Sequence, residues 1–99
     1  SQKRSPLMPD LPTVAEAGVP GFSIDSWYGI VAPAGTPAAI VSKLNGEVAR
    51  SVKTPAVTGF LAKEGALPVG GTPAEFHVLM KEEIGKWGKV IKASNIKFE

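Results

Sequence analysis

The sequence predicts an α/β fold in which helices pack on a small sheet. The stretch 22–37, FSIDSWYGIVAPAGTP, combines the densest group of aromatic and β-branched residues with an abrupt Pro/Gly stop. That combination is typical of a buried strand that leads into a helix. From Trp27 onward both faces of this strand, expected at about 23–32, carry apolar side chains, as in a strand covered on both sides. Apolar stripes with helical spacing follow it.

Composition excludes several classes of function. The 99 residues allow one domain at most, and 11 Lys and Arg against 9 Asp and Glu give a net charge of +2, which predicts no polyanionic partner. Cysteine is absent and there is one histidine, so we expect no disulfide, no metal centre and no other cofactor. No apolar run approaches the roughly 20 residues of a membrane span, and the start of the chain, SQKRSPLMPD, has no signal-peptide core.

Residues 1–53 are expected to form a loop, one helical turn, the strand and a first long helix. Prolines punctuate residues 1–12, and a capping box at Thr13 starts a turn over Val14–Ala17. Thr36 is the predicted N-cap of the long helix and Pro37 its first residue. The helix is expected to end near Lys53, and its apolar stripe comprises Ile40, Val41, Leu44, Val48 and Val52.

Residues 54–99 are expected to add two helices and a short edge strand. Thr54-Pro55 starts a short helix that Gly65 ends, and ALPV at 66–69 is the candidate edge strand. A capping box at Thr72 starts the longest helix, expected over Pro73–Ala93. Its stripe comprises Phe76, Leu79, Met80, Ile84, Trp87, Val90 and Ile91. Asn95 is a candidate left-handed stop, and Ile96 and Phe98 form an apolar tail expected to pack back.

Two places along the chain are candidate ligand contacts. Asp25, Ser26 and Trp27 offer a carboxylate, a hydroxyl and an aromatic ring at the start of the predicted strand, although core packing explains Trp27 at least as well. Gly35 and Thr36 lead into a helix start, where backbone N–H groups are able to hold a carboxylate or phosphate. Most helix starts are merely capped, so this second signal is weak.

No catalytic residues are predicted. His77 lies at the edge of the longest apolar stripe, and the sequence identifies no nucleophile or orienting group for it; we expect an ordinary boundary histidine. Glu82 and Lys86, four apart, are expected to form a helix-stabilising pair. Lys86, Lys89, Lys92 and Lys97 suggest a phosphate-binding ridge, but the helix dipole alone favours positive charge there, so we expect no nucleic-acid partner.

Five segments in order resemble one known family: PDLPTVAEAGVPGF, SWYGIVAPAGTP, LNGEVA, LPVGGTPAEF and EIGKWGKVIK. Together they are similar to the C-terminal third of the tripartite tricarboxylate transporter substrate-binding proteins, the periplasmic Bug receptors. The resemblance implies part of a type II periplasmic-binding fold, whose two lobes close on a small carboxylate. It places 1–21 as a crossing segment and loop, and 22–99 as the C-terminal part that completes the first lobe.

The resemblance also implies partners and location. It predicts a small organic acid as ligand of the full-length parent, the membrane subunits of the transporter as protein partners, and the periplasm as the compartment. A fragment with an exposed strand edge is expected to self-associate. The alternative hypothesis is a small helical module that contacts a protein or nucleic acid through the basic edge of its longest helix.

Overall fold

A computed structural model describes residues 1–97 and shows three helices joined by irregular segments. The helices are α1 (Ala38–Ser51), α2 (Pro55–Lys63) and α3 (Pro73–Ala93). The two residues that follow, including Phe98 of the predicted apolar tail, lie outside the described range. The packing of that tail therefore stays a prediction.

The prediction of an α/β fold with a small sheet is wrong for the described residues, because they contain helices and no strand. Neither 23–32 nor 66–69 is paired with another segment. A β-strand exists only where its backbone N–H and C=O groups bond to a neighbouring strand, and no such neighbour is present in residues 1–97. The aromatic and β-branched composition of 23–32 therefore indicated a strand-forming preference without the partner that it requires.

Residues 1–21 form loops and several hydrogen-bonded turns, the longest of them at 14–18. The N–H of Ala17 donates to the carbonyl of Thr13 over 3.0 Å, and the N–H of Glu16 donates to the Thr13 hydroxyl over 3.2 Å. Thr13 is the buried polar residue of the described chain. The carboxylate of Glu16 also pairs with Arg4, which ties the start of the chain to this turn.

Helix α1 begins one residue later than predicted. Pro37 is the N-cap and not the first helical residue, and the Thr36 hydroxyl donates to the carbonyl of Pro33 over 2.7 Å. A proline at the cap position still suits the extended backbone observed there, with φ −55° and ψ 138°. The helix ends at Ser51, two residues before the predicted stop.

Helices α2 and α3 begin at the predicted residues. Thr54 and Thr72 are their N-caps, each followed by proline at the first helical position. Gly65, after α2, and Asn95, after α3, have positive φ values of 71° and 52°. Left-handed residues at these two positions are common helix stops.

Helix α1 packs against α3 and the loop before it. Val41, Val48 and Val52 of the predicted stripe are partly buried. Ile40 and Leu44 of the same stripe are exposed, at 50% and 54%. Asn45 lies on the inner face and donates from Nδ2 to the carbonyl of Gly71 over 2.8 Å. This hydrogen bond holds the loop that precedes α3 against the middle of α1.

Helix packing leaves no hydrophobic side chain fully buried among the described residues. The radius of gyration is 16.7 Å, whereas a compact domain of about 100 residues has about 13 Å. The chain is therefore an open arrangement of three helices and connecting segments, with apolar surface left accessible.

Candidate functional site

Residues 23–29 lie along α3 and contact it through aromatic packing and hydrogen bonds. The Trp27 and Phe76 rings meet edge to face, with centroids 5.5 Å apart and planes at 82°, a favourable aromatic geometry. Gly29 lies against the same ring, since a Cβ at that position would be closer than 3.0 Å to three Phe76 ring atoms. Positions 27 and 29 thus face α3 together, as alternate residues of an extended segment do.

A polar network fastens the other end of this segment. Lys86 Nζ donates to the carbonyl of Ser23 over 2.9 Å and lies 3.0 Å from Glu83 Oε1. Trp87 Nε1 donates to Glu83 Oε2 over 2.8 Å. Lys86 Nζ is also 5.5 Å from the centroid of the Trp87 ring, a cation–π distance. The segment therefore runs antiparallel to α3, from Lys86 near Ser23 to Phe76 near Gly29.

The Glu83 carboxyl is held in its ionised form. The hydrogen bond from Lys86 is the largest cause that lowers the pKa of Glu83 below its ordinary value, and the hydrogen bond from Trp87 is the next. Partial desolvation acts in the opposite direction and is outweighed. At neutral pH the network is therefore an ion pair with both carboxylate oxygens engaged.

An open pocket of about 350 Å³ lies between the segment and α3. Its walls are Trp27, Met80, Glu83, Ile84 and Trp87. The volume falls in the range of about 300–1,000 Å³ that is typical of small-molecule pockets. The walls are apolar except for the carboxylate of Glu83, so the pocket favours an apolar occupant and repels an anion.

The structure separates the three residues of the first predicted site. Trp27 contributes to the pocket, whereas the exposed Ser26 and Asp25 do not line it. The side chain of Asp25 is 60% exposed, and its Oδ1 lies 3.6 Å from the amino nitrogen of Ser1. Asp25 and Ser26 are therefore accessible polar groups beside the pocket.

The second predicted site, at Gly35 and Thr36, is a turn before α1. Gly35 has φ +83°, a value that glycine adopts readily. The Thr36 N–H and hydroxyl both bond to the carbonyl of Pro33, over 3.2 Å and 2.7 Å. The Thr36 donors are thus engaged within the turn, and α1 begins two residues later, at Ala38.

The remaining residues singled out in the sequence, His77, Glu82 and Lys86, all lie on α3. His77 is exposed on α3, and residues 1–97 contain no group of three metal-ligating side chains. Lys86 pairs with Glu83 and not with the predicted Glu82, because the three-residue spacing brings Glu83 to the same face as Trp27. Within the described range no helix is both long and apolar enough to span a membrane.

Sequence reasoning missed the roles of Phe76, Glu83 and Trp87 in holding the segment. The available signal was their spacing. Glu83 follows Phe76 by seven residues and Trp87 follows Glu83 by four, so the three side chains lie on one face of a helix. That face combines aromatic rings with a carboxylate. Its partner in the chain, 23–29, is recognisable only from the three-dimensional structure.

Comparison with known proteins identifies the family of the chain. A family described as the tripartite tricarboxylate transporter family receptor matches residues 1–96. The chain belongs to this family, and the resemblance found in its sequence is confirmed.

Curated relatives agree with the family. The chain is 40% identical over 92 residues to a UPF0065 protein in the tcbD-tcbE intergenic region of Pseudomonas sp. strain P51, covering 92% of this chain and 27% of that protein. It is 33% identical over 99 residues to protein BugT of Bordetella pertussis, covering 100% of this chain and 30% of that protein. A UPF0065 protein of Pseudomonas knackmussii is 37% identical over 92 residues, 54% of its length.

The chain spans less than a third of the length of the first two relatives. The matches establish the family of the chain and the fraction of each relative that the chain covers. They do not support the more specific expectation that the chain corresponds to the C-terminal third of its relatives.

Proposed function

We propose that this chain forms part of a periplasmic receptor that captures small organic carboxylates and delivers them to the membrane subunits of a tripartite tricarboxylate-type transporter. The observation that supports this proposal is the match of residues 1–96 to the receptor family. The role is reversible binding, without a chemical step. The division of the chain into a crossing segment at 1–21 and a lobe portion at 22–99 remains part of the same proposal.

The proposed ligand contacts are the exposed groups at 25–27 and the turn that leads into α1. A ligand carboxylate requires hydrogen-bond donors, which the Ser26 hydroxyl and the first backbone N–H groups of α1 supply. Asp25 is an acceptor when ionised, so its partner would be a hydroxyl group of the ligand. Gly35 gives the turn before α1 its positive φ of 83°.

The apolar pocket beside Trp27 is not the proposed carboxylate site. Its single polar wall is Glu83, whose lowered pKa keeps it negatively charged. An anion placed there would lose hydration and be repelled by the Glu83 carboxylate, and Lys86 is not among the pocket walls. A carboxylate would therefore bind outside this pocket.

The 99-residue chain alone should bind carboxylates poorly. Small-ligand sites enclose about 70–90% of the ligand surface, whereas the groups at 25–27 lie on an open surface. Isothermal titration calorimetry with di- and tricarboxylates compares the isolated chain with a receptor-length polypeptide that contains it. We expect binding only by the longer protein. Micromolar binding by the isolated chain would show that the site is complete within it, and no binding by either protein would overturn the assignment to carboxylates.

Two substitutions in the receptor-length protein test the proposed contacts. Ser26→Ala removes an exposed hydroxyl, so weaker ligand binding at an unchanged melting temperature would indicate direct contact. Thr36→Val tests the turn before α1, and Thr54→Val is its matched control because Thr54 also precedes a proline at a helix start. Equal ligand affinity in Thr36→Val, Thr54→Val and the unaltered protein would remove the α1 turn from the site.

A further inference from the structure

The segment that carries the proposed ligand contact Ser26 is held on α3 at two places. Before Ser26, Lys86 Nζ donates to the carbonyl of Ser23 over 2.9 Å. After it, the ring of Trp27 packs edge to face on Phe76, with centroids 5.5 Å apart. A segment fixed on both sides of a residue leaves that residue few backbone conformations. The contacts with α3 therefore determine where the Ser26 hydroxyl lies.

The same contacts turn Ser26 away from the helix. Trp27 and Gly29 both lie against the ring of Phe76. Successive side chains of an extended segment point to opposite sides, so position 26 faces away from α3, and Ser26 is exposed. The packing of its neighbours on α3 thus presents the Ser26 hydroxyl on the outer side of the segment.

The ammonium group of Lys86 is itself fixed by two side chains of α3. Nζ lies 3.0 Å from Glu83 Oε1 and 5.5 Å from the centroid of the Trp87 ring. Trp87 Nε1 in turn donates to Glu83 Oε2 over 2.8 Å. The side chain of Glu83 is only 16% exposed, and charge-assisted hydrogen bonds in such a setting restrict geometry more than an open surface pair does. Lys86 is therefore held in the position from which it reaches Ser23.

The charge of Lys86 is neutralised within this network. Its ammonium group has the Glu83 carboxylate and the Ser23 carbonyl as oxygen neighbours. A cation with an ion-pair partner at 3.0 Å exerts little net attraction on an anion farther away, because the two opposite charges nearly cancel there. Any effect of Lys86 on carboxylate binding is therefore exerted through the position of the segment and not through its charge.

We propose that Lys86 is a positioning residue for carboxylate binding. By holding the carbonyl of Ser23 on α3, it orders the segment before a ligand arrives and keeps the Ser26 hydroxyl on the outer side. Binding energy is then not lost in ordering these residues. This role rests on the proposed function, because it concerns the ligand contact assigned there to Ser26. It adds to the site a residue of α3 that does not itself touch the ligand.

Titration calorimetry of the receptor-length protein with succinate and citrate, a dicarboxylate and a tricarboxylate, tests the proposal. Lys86→Met keeps the aliphatic stem but loses the ammonium donor, so carboxylate affinity should fall about tenfold. Lys86→Arg keeps a charged donor and should restore most of the affinity. Lys89→Met is the matched control, since it removes the same charge from an exposed position of the same helix. It should leave the affinity unchanged.

Two further variants separate positioning from direct contact. If Lys86 acts through Ser26, Lys86→Met should weaken binding less than about twofold when Ser26→Ala is already present, because coupled residues are not additive. Glu83→Gln releases Lys86 from its ion pair and serves as the second variant if Lys86→Met does not fold. A positioning role predicts weaker carboxylate binding by Glu83→Gln, whereas direct contact predicts stronger binding to the freed ammonium group. Circular dichroism and the melting temperature check that each variant is folded.

The outcomes distinguish this role from the proposed function. Weaker binding by Ser26→Ala with unchanged binding by Lys86→Met would overturn the positioning role and leave carboxylate capture in place. Equal losses from Lys86→Met with and without Ser26→Ala, or stronger binding by Glu83→Gln, would also overturn it. Unchanged binding by Ser26→Ala would remove the contact that Lys86 is proposed to position. A receptor-length protein that binds neither carboxylate would overturn the proposed function itself and this role with it.

Discussion

Gly29 lies directly against the ring of Phe76, and this contact sets how closely residues 23–29 approach α3. A Cβ at position 29 would lie closer than 3.0 Å to three atoms of the ring, which Trp27 contacts from another side. Rotation of the Phe76 ring to make room would disturb its edge-to-face contact with Trp27. Glycine is therefore required at position 29 by space, and not by a positive φ.

Gly29→Ala should loosen the segment from α3 and destabilise the chain by about 1–3 kcal/mol, the usual cost of an overpacked contact. Chemical denaturation followed by tryptophan emission measures the change, since Trp27 is in the displaced segment. Gly85→Ala in α3 is the control, because nothing lies within 4 Å of its added Cβ. It should stabilise the helix by roughly 0.5–1 kcal/mol. Equal effects of the two substitutions would contradict the close packing at Gly29.

Helix starts were the most predictable part of the fold, because their signals are local. The Thr-Pro pairs at 54–55 and 72–73 mark the N-caps and first residues of α2 and α3. The third pair, at 36–37, marked α1 to within one residue, because Pro37 is the N-cap and Ala38 the first helical residue. Chemistry within a few residues was therefore sufficient to place all three starts.

The sheet was the least predictable part, because strand formation depends on residues distant in the chain. The 22–32 stretch has strand-forming composition, yet Tyr28, Ile30 and Val31 are 95%, 78% and 72% exposed. The candidate site shows the same difference between features set by local sequence and features set by distant residues. Trp27 was recognisable as an aromatic candidate, whereas Glu83 and Lys86 acquire their roles through contacts with Trp87 and Ser23. The contact between Lys86 and Ser23 joins distant parts of the chain, so no local sequence pattern indicates it.

Thr72→Ala should destabilise the protein through loss of the α3 N-cap. The Thr72 hydroxyl accepts a hydrogen bond from the Glu75 N–H over 3.1 Å and lies 3.1 Å from Glu75 Oε1. Removal of such a cap costs about 1 kcal/mol. Thermal unfolding followed by circular dichroism measures the loss.

Thr54→Ala is the matched control for the cap. Thr54 also precedes a proline at a helix start, but its hydroxyl donates back to Ser51 and makes no bond to the first turn of α2. Its removal should therefore cost less than that of Thr72. An equal or larger loss for Thr54→Ala would contradict the assignment of the stabilising cap to Thr72.

Acidification should release the 23–29 segment through protonation of Glu83. Lys86 and Trp87 hold the pKa of Glu83 below its ordinary value of 4.5. A carboxyl group with a lowered pKa in the folded state contributes stability that is fully present above the ordinary pKa and is lost as the pH falls through the folded pKa. The contribution should therefore be constant at neutral pH and disappear below pH 4.5.

Glu83→Gln isolates this effect from other acid-sensitive contacts. Glu16 also has a lowered pKa, caused first by its hydrogen bond with Arg4, so the unaltered chain should lose two interactions in the same pH range. Acrylamide quenching of tryptophan emission distinguishes them, because Trp27 and Trp87 both adjoin Glu83. Glu16→Gln should keep the acid-induced rise in quenching, whereas Glu83→Gln should show high quenching already at neutral pH and little further change. A Glu83→Gln chain with the same pH profile as the unaltered protein would show that the network does not hold the segment on α3.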